Sequence, residues 1–354
     1  MGSTRATRRG RRGGTVAVRR TAAVAAALTI LAASGTAFAA GPNESGIAGA
    51  ACPQNTGHSA ANPICDFPVP TADSIPFSIV LGRDGALWFT EFGANKIGRV
   101  TTGGVFTEFV VPTADSGPAG IVVGRDGALW FTELFGNRIG RVTTGGVFTE
   151  FTIPTANSTP AGIVVGRDGA LWFAEFGASK IGRVTTGGVF TEFVVPTANS
   201  GPVGIVVGRD GALWFTEEDG SKIGRVTTGG VFTEFMIPTA NSKPIWVVAG
   251  HDGALWFTER DGNNIGRITT GGVFTEFVVP TANSGPEEIT VGRDGALWFT
   301  EYGANKIGRV TTGGVFTEFV VPTANSGPPG IVVGRDGALW FTEFDGNKIG
   351  VLTP

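Results

Sequence analysis

The sequence predicts an all-β fold, a seven-bladed β-propeller of four-stranded antiparallel blades, and three observations carry that expectation. A GRDGALWFTE-type segment recurs every 42 residues, beginning at Gly82, Gly124, Gly166, Gly208, Gly250, Gly292 and Gly334, with histidine in place of arginine in the copy at Gly250. The tryptophans Trp88, Trp130, Trp172, Trp214, Trp256, Trp298 and Trp340 keep the same interval. Each period holds short β runs separated by glycine turns, too little to enclose a core alone but enough for one blade of a ring. Finally, the last repeat stops at Pro354 before any VFTEF-type strand, while Cys65-Asp66-Phe67-Pro68-Val69-Pro70 resembles the end of such a strand. The segment near Phe67 is therefore expected to complete the seventh blade and close the ring, removing an exposed sheet edge.

Residues 118–153 illustrate the unit. Gly120 to Gly124 reads as a first apolar strand and Arg125-Asp126-Gly127 as a tight turn. A second strand is expected from Ala128 to Glu133, a third from Arg138 to Val142 and a fourth from Val147 to Ile153. Thr143-Thr144-Gly145-Gly146 turns the chain between the last two. Glycine supplies the positive φ that tight turns require, while β-branched and aromatic residues suit the strands. Pro154 ends the ladder because it has no N–H to donate. Blades stacked face to face would bury the Trp, Phe and Val side chains on both sides.

The ends and the charge balance bound the function. Residues 1–40 carry seven arginines, an apolar run from Thr21 to Ala33 and small residues around Ala37 to Ala39, the pattern of a secretory signal. A secreted, extracellular chain without a membrane span follows as an expectation, with residues 41–64 a lead-in and 65–354 the propeller. Of 27 basic and 30 acidic residues, the first 40 hold seven and none, leaving 20 against 30, a net charge of −10. So acidic a chain does not suit nucleic acid, whose phosphates need concentrated Lys and Arg. Cys52 and Cys65 are expected to form a disulfide, as an even, closely spaced pair does in an exported protein. A monomer is expected.

In a four-stranded blade the loops between blades and the loops joining strands two and three emerge on one face, where binding residues are usually carried. The copies differ most there. The inner-strand positions read Phe77, Ala119, Ala161, Val203, Ile245, Glu287 and Pro329, followed by Ser78, Gly120, Gly162, Gly204, Trp246, Glu288 and Gly330. After the second strands come Phe92, Leu134, Phe176, Glu218, Arg260, Tyr302 and Phe344. Trp246, Arg260, Glu287, Glu288, Tyr302 and Phe344 are the expected contacts for a small polar–aromatic molecule or a glycan. Glu91, Glu133, Glu175, Glu217, Glu259, Glu301 and Glu343 end the second strands. They suit either an oxygen-loving cation such as Mg²⁺ or local pairing with Lys96, Arg138, Lys180, Lys222, Lys306 and Lys348. Asp84 and its equivalents read as turn formers.

The repeat LWFTE…NKIGRVTTGGVFTEF…PTANSGP resembles the virginiamycin B lyase family of seven-bladed propellers over residues 65–354. The resemblance implies a magnesium-dependent carbon–oxygen lyase that opens a cyclic depsipeptide by elimination. It also implies a catalytic role for Glu343, and Glu287 and Glu343 as holders of Mg²⁺. The family's two active-site histidines fall on Pro329 and Glu287, and an acidic residue near the first falls on Gly327. Proline cannot transfer a proton, and elimination needs a base within hydrogen-bond reach of the proton beside the carbonyl. The sequence therefore favours a secreted lyase-like propeller that binds a small molecule or glycan, with an active lyase and a protein-binding or cell-surface scaffold as alternatives.

Overall fold

The computed structural model describes residues 63–354. They form seven four-stranded antiparallel sheets, each ordered from an inner to an outer strand. In the second blade the strands are Pro118–Val123, Leu129–Glu133, Arg138–Val142 and Phe148–Thr152, within two residues of the expected bounds. The inner strand starts earlier because Pro118 pairs with Glu133 ahead of a bulge, after which Ile121 pairs with Phe131. No helix among the described residues is long and apolar enough to cross a membrane.

The second strand of every blade is wholly buried because its two faces serve two blades. Trp88 packs in one cluster with Leu129 and Phe131 of the next blade, and the pattern repeats around the ring. Each tryptophan is also fixed within its own blade. Trp88 stacks on Phe109 of the outer strand, with centroids 5.6 Å apart, and its N–H donates to Asp84. The Arg99 guanidinium lies 5.8 Å from the Trp88 centroid and pairs with Asp84 at 2.7 Å. The turn-forming aspartate thus also holds the central ring of its blade.

The ring closes as expected. The strand Ile64–Pro68 pairs antiparallel with Lys348–Leu352, setting Cys65 opposite Val351 and Phe67 opposite Ile349. Phe67 stacks on Trp340, standing in for the outer-strand phenylalanine of the other blades. Trp340 in turn shares a cluster with Leu87 and Phe89 of blade 1. The expected Cys52–Cys65 bridge falls outside what is described: no disulfide joins two described residues, and Cys52 is not among them. Closure rests on the ladder and on this apolar packing. The expected signal and most of the lead-in also lie outside the described residues.

Three hydrogen-bond systems tie neighbouring blades together. Nearest the axis, Thr132 accepts from the Gly120 N–H of its own blade and donates to the Ala161 carbonyl of the next. Thr342 repeats this across the seam, donating to the Phe77 carbonyl. The cycle is broken once, at Ala174. Farther out, Thr113 donates both its N–H and its hydroxyl to Glu150. On the face of the first turns, arginines reach from blade to blade. Arg83 donates to the Gly124 and Arg125 carbonyls.

Candidate functional site

The loops between blades and the loops after the second strands share one face. Around its mouth the residues divide into two arcs. Phe135, Phe92, Phe77, Phe344 and Tyr302 form a continuous chain of rings across blades 2, 1, 7 and 6. Successive centroids lie 5.5, 6.2, 6.4 and 6.3 Å apart, tilted or edge-to-face as aromatic quadrupoles prefer. Phe135 is exposed and Phe344 buried, so the arc descends from the rim into the mouth. The Tyr302 hydroxyl donates to Asp345 at 3.2 Å, which anchors the far end.

The second arc is ionic and spans blades 4 to 6. The Arg260 guanidinium lies 2.8 Å from Glu218 and 3.8 Å from Glu287, and both carboxylates are buried. Two acids flank one base because the three loop positions come from consecutive blades. Burial raises Glu287 to about 7, with Arg260 holding it down and Glu218 adding to the rise. Glu288 is pushed well above the carboxylate range by burial, although the Ile331 N–H of the next blade hydrogen-bonds its carboxyl and opposes the shift. Lys243 pairs with Asp219 on the rim beside these groups. With Glu288 held uncharged by burial, five acids (Glu218, Asp219, Asp261, Glu287 and Asp345) face two bases, Arg260 and Lys243, and the mouth keeps an excess of carboxylate.

The structure brings four of the sequence-selected residues into these arcs: Arg260 with Glu287, and Tyr302 with Phe344. Glu288 leans toward blade 7, close to Gly330. Trp246 is half-buried and packs on the hydrophobic cluster between blades 5 and 6, away from the aromatic chain. Glu218, Phe77 and Phe92 join the site although only their loop positions had marked them. Their copy-to-copy variation at a fixed place in the repeat was the available signal.

The magnesium expectation is corrected. Among the described residues no group of three or more His, Cys, Asp or Glu side chains could hold a metal ion. Glu287 is committed to Arg260. Glu343 is fully buried at the end of its strand, and burial raises its carboxyl to about 7. A cation site needs several ionised oxygens converging on one point, and these two residues do not provide it.

The pairing expected between the strand-ending glutamates and the lysines is also different. Lys96 lies opposite Glu91 in the ladder, yet its ammonium pairs with Glu108 of the outer strand at 2.9 Å and with the Thr71 hydroxyl. The partly exposed Glu108 keeps its charge more cheaply than a carboxylate sealed between blades, so the lysine turns outward. Glu91, Glu175 and Glu301 are left with both carboxyl oxygens buried and unbonded.

The Virginiamycin B lyase family model matches residues 54–295 and 192–354. A streptogramin B lyase structure is 41% identical to this chain, covering 82% of it and 97% of the lyase, with a TM-score of 0.80. Selenomethionine-substituted virginiamycin B lyase from Staphylococcus aureus is 41% identical, covering 82% and 99%, with a TM-score of 0.79. The same figures hold for a catalytically inactive variant of the S. aureus lyase, one histidine replaced by alanine, crystallised with quinupristin. With this identity carried over nearly the whole length of those lyases, the chain belongs to the virginiamycin B lyase family.

Proposed function

We propose that this chain is a secreted binding propeller whose mouth takes a small molecule with an apolar or aromatic body and a cationic group, and that it does not open the molecule. The observation that carries this reading is the two-arc mouth, five aromatic rings facing an ion-paired arc with excess carboxylate. A cationic aromatic ligand would stack on the first and neutralise the second. Secretion rests on the signal-like residues 1–40.

The chemistry of elimination argues against turnover. The positions matching the family's histidines hold Pro329 and Glu287. Pro329 has no proton to exchange, and its carbonyl accepts from Thr300. Glu287 is buried and held towards Arg260, so it is not free to reach a substrate proton. The inactive staphylococcal variant, solved with quinupristin, shows that in that protein ligand and loss of a histidine coexist.

The test is a titration with a type B streptogramin such as quinupristin, followed by mass spectrometry after long incubation with and without Mg²⁺. Saturable binding, weakened roughly tenfold or more by Tyr302→Ala, with only intact ligand recovered, is the expected result. A ring-opened product would overturn the assignment as a binder without turnover. Absence of saturable binding to cationic aromatic compounds would overturn the ligand class.

A further inference from the structure

The face opposite the mouth carries a second, opposite pattern of charge. Its first turns hold Arg83, Arg125, Arg167, Arg209, Arg293 and Arg335, all exposed, with His251 at the seventh position. None of the six arginines pairs with an acid among the described residues. Each instead donates one nitrogen to carbonyls of the next blade's turn. Arg125 donates to Gly166 and Arg167, Arg167 to Gly208 and Arg209, Arg293 to Gly334 and Arg335, and Arg335 to Arg83 across the seam. The next turn's glycine, at positive φ, leaves room for the guanidinium to lie across it. A Cβ at Gly211 would come within 3.4 Å of Arg167, and one at Gly85 within 3.3 Å of Arg335.

The other charges on these blade ends cancel almost completely. Arg99, Arg141, Arg183, Arg225, Arg267 and Arg309 each pair with the aspartate of their own turn. Only Asp336 lacks such a partner, because Val351 stands opposite Trp340 where the other blades have arginine. The first-turn face therefore has an excess of five positive charges on a propeller that is strongly acidic elsewhere.

We propose that this crown of six guanidiniums is an anion site for a compact ligand bearing several phosphate groups. Each guanidinium uses its Nη2 on the neighbouring turn, leaving Nε–H and Nη1–H₂ on separate edges. Each can donate singly, as a charge-assisted hydrogen bond, to an oxygen of a different phosphate group. The carbonyl bonds fix each guanidinium in place, so little side-chain freedom remains to be lost on binding. Because the turns lie at the ends of the innermost strands, the charges encircle the propeller axis. One ligand on that axis would feel them together, whereas a single phosphate engages one or two. The circle is incomplete at His251, whose side chain lies beside Gly295 where an arginine would reach blade 6.

Calorimetric titration of the folded protein with sodium tripolyphosphate, with inorganic phosphate as comparison, tests the site. Saturable tripolyphosphate binding at low salt is expected, at least tenfold tighter than phosphate and weakening as salt rises. The variant Arg125→Gln/Arg167→Gln should lose tenfold or more in affinity. Because these arginines also link blades, a gain-of-charge variant supplies an independent arm. His251→Arg completes the crown and should tighten binding several-fold. Absence of saturable binding, equal affinities for the two anions, or an unchanged constant in both variants would overturn the proposal. None of these outcomes touches the binding mouth on the other face.

Discussion

Arg260 shows how much one residue can hold. Among the described residues its guanidinium is the only base within pairing distance of Glu218 and Glu287, and both acids are almost sealed from water. Removing it leaves two buried carboxylates facing each other, a far larger penalty than loss of an exposed pair. Arg260→Ala is expected to lower stability by about 3–5 kcal/mol. Lys243→Ala, which removes only the rim pair with Asp219, should cost under about 1 kcal/mol. Urea unfolding at pH 7.5 compares them, and similar midpoints would show that the triad is solvated. At the same scale, Ala174 is the one copy whose second strand lacks threonine. Ala174→Thr should restore the missing bridge between Gly162 and Val203 and stabilise the ring by about 1 kcal/mol.

At the scale of the element, the loop between blades is held by an asparagine at positive φ. Asn137 accepts from the Ser158 N–H and hydroxyl and donates to the Ile153 and Thr155 carbonyls. Asn95, Asn263, Asn305 and Asn347 occupy the same place, Asn347 clasping Ser74 across the seam. Blades 3 and 4 carry Ser179 and Ser221 instead, still at φ near 50°. Serine is too short to reach both carbonyls and tolerates that backbone region less well than asparagine. Ser179→Asn should therefore raise stability by about 1–2 kcal/mol, read as an increase in urea midpoint with unchanged slope. A fall in midpoint would refute the clasp.

The blade boundaries, the turn glycines and the closing strand at Phe67 were legible because the period repeats them seven times. The clasp is written in the same repeat, as asparagine and serine 21 residues apart, but nothing local distinguishes it from ordinary loop chemistry. Partner choice was less accessible still. Lys96 has Glu91 opposite it and Glu108 nearby, and burial rather than spacing decides between them. The triad joins three blades at separations of 42 and 27 residues, so its members could be nominated singly but not paired.

At the scale of the whole molecule, the ring seals one glutamate behind each second strand. Burial raises Glu91, Glu175, Glu217, Glu259 and Glu301 to about 8, and Glu133 and Glu343 to about 7. In the unfolded chain these groups would titrate near 4.5, so between there and pH 8 the folded state binds more protons. Stability is then greatest below the unfolded value and falls as pH rises through the folded values. The turn aspartates, lowered against burial by their arginine partners, and the outer-strand Glu108, lowered against burial by hydrogen bonds from Thr71 and Lys96, act only at more acid pH, where those bonds are lost. Melting temperature should therefore decline from pH 5 to pH 8 rather than pass through the usual broad maximum. Glu91→Gln removes one titrating group while keeping its shape. It should match the parent near pH 5 and exceed it at pH 8 by roughly 2–4 kcal/mol. A constant difference across that range would mean that the carboxyl titrates alike in both states, and the sealed interface between blades would then have to admit water.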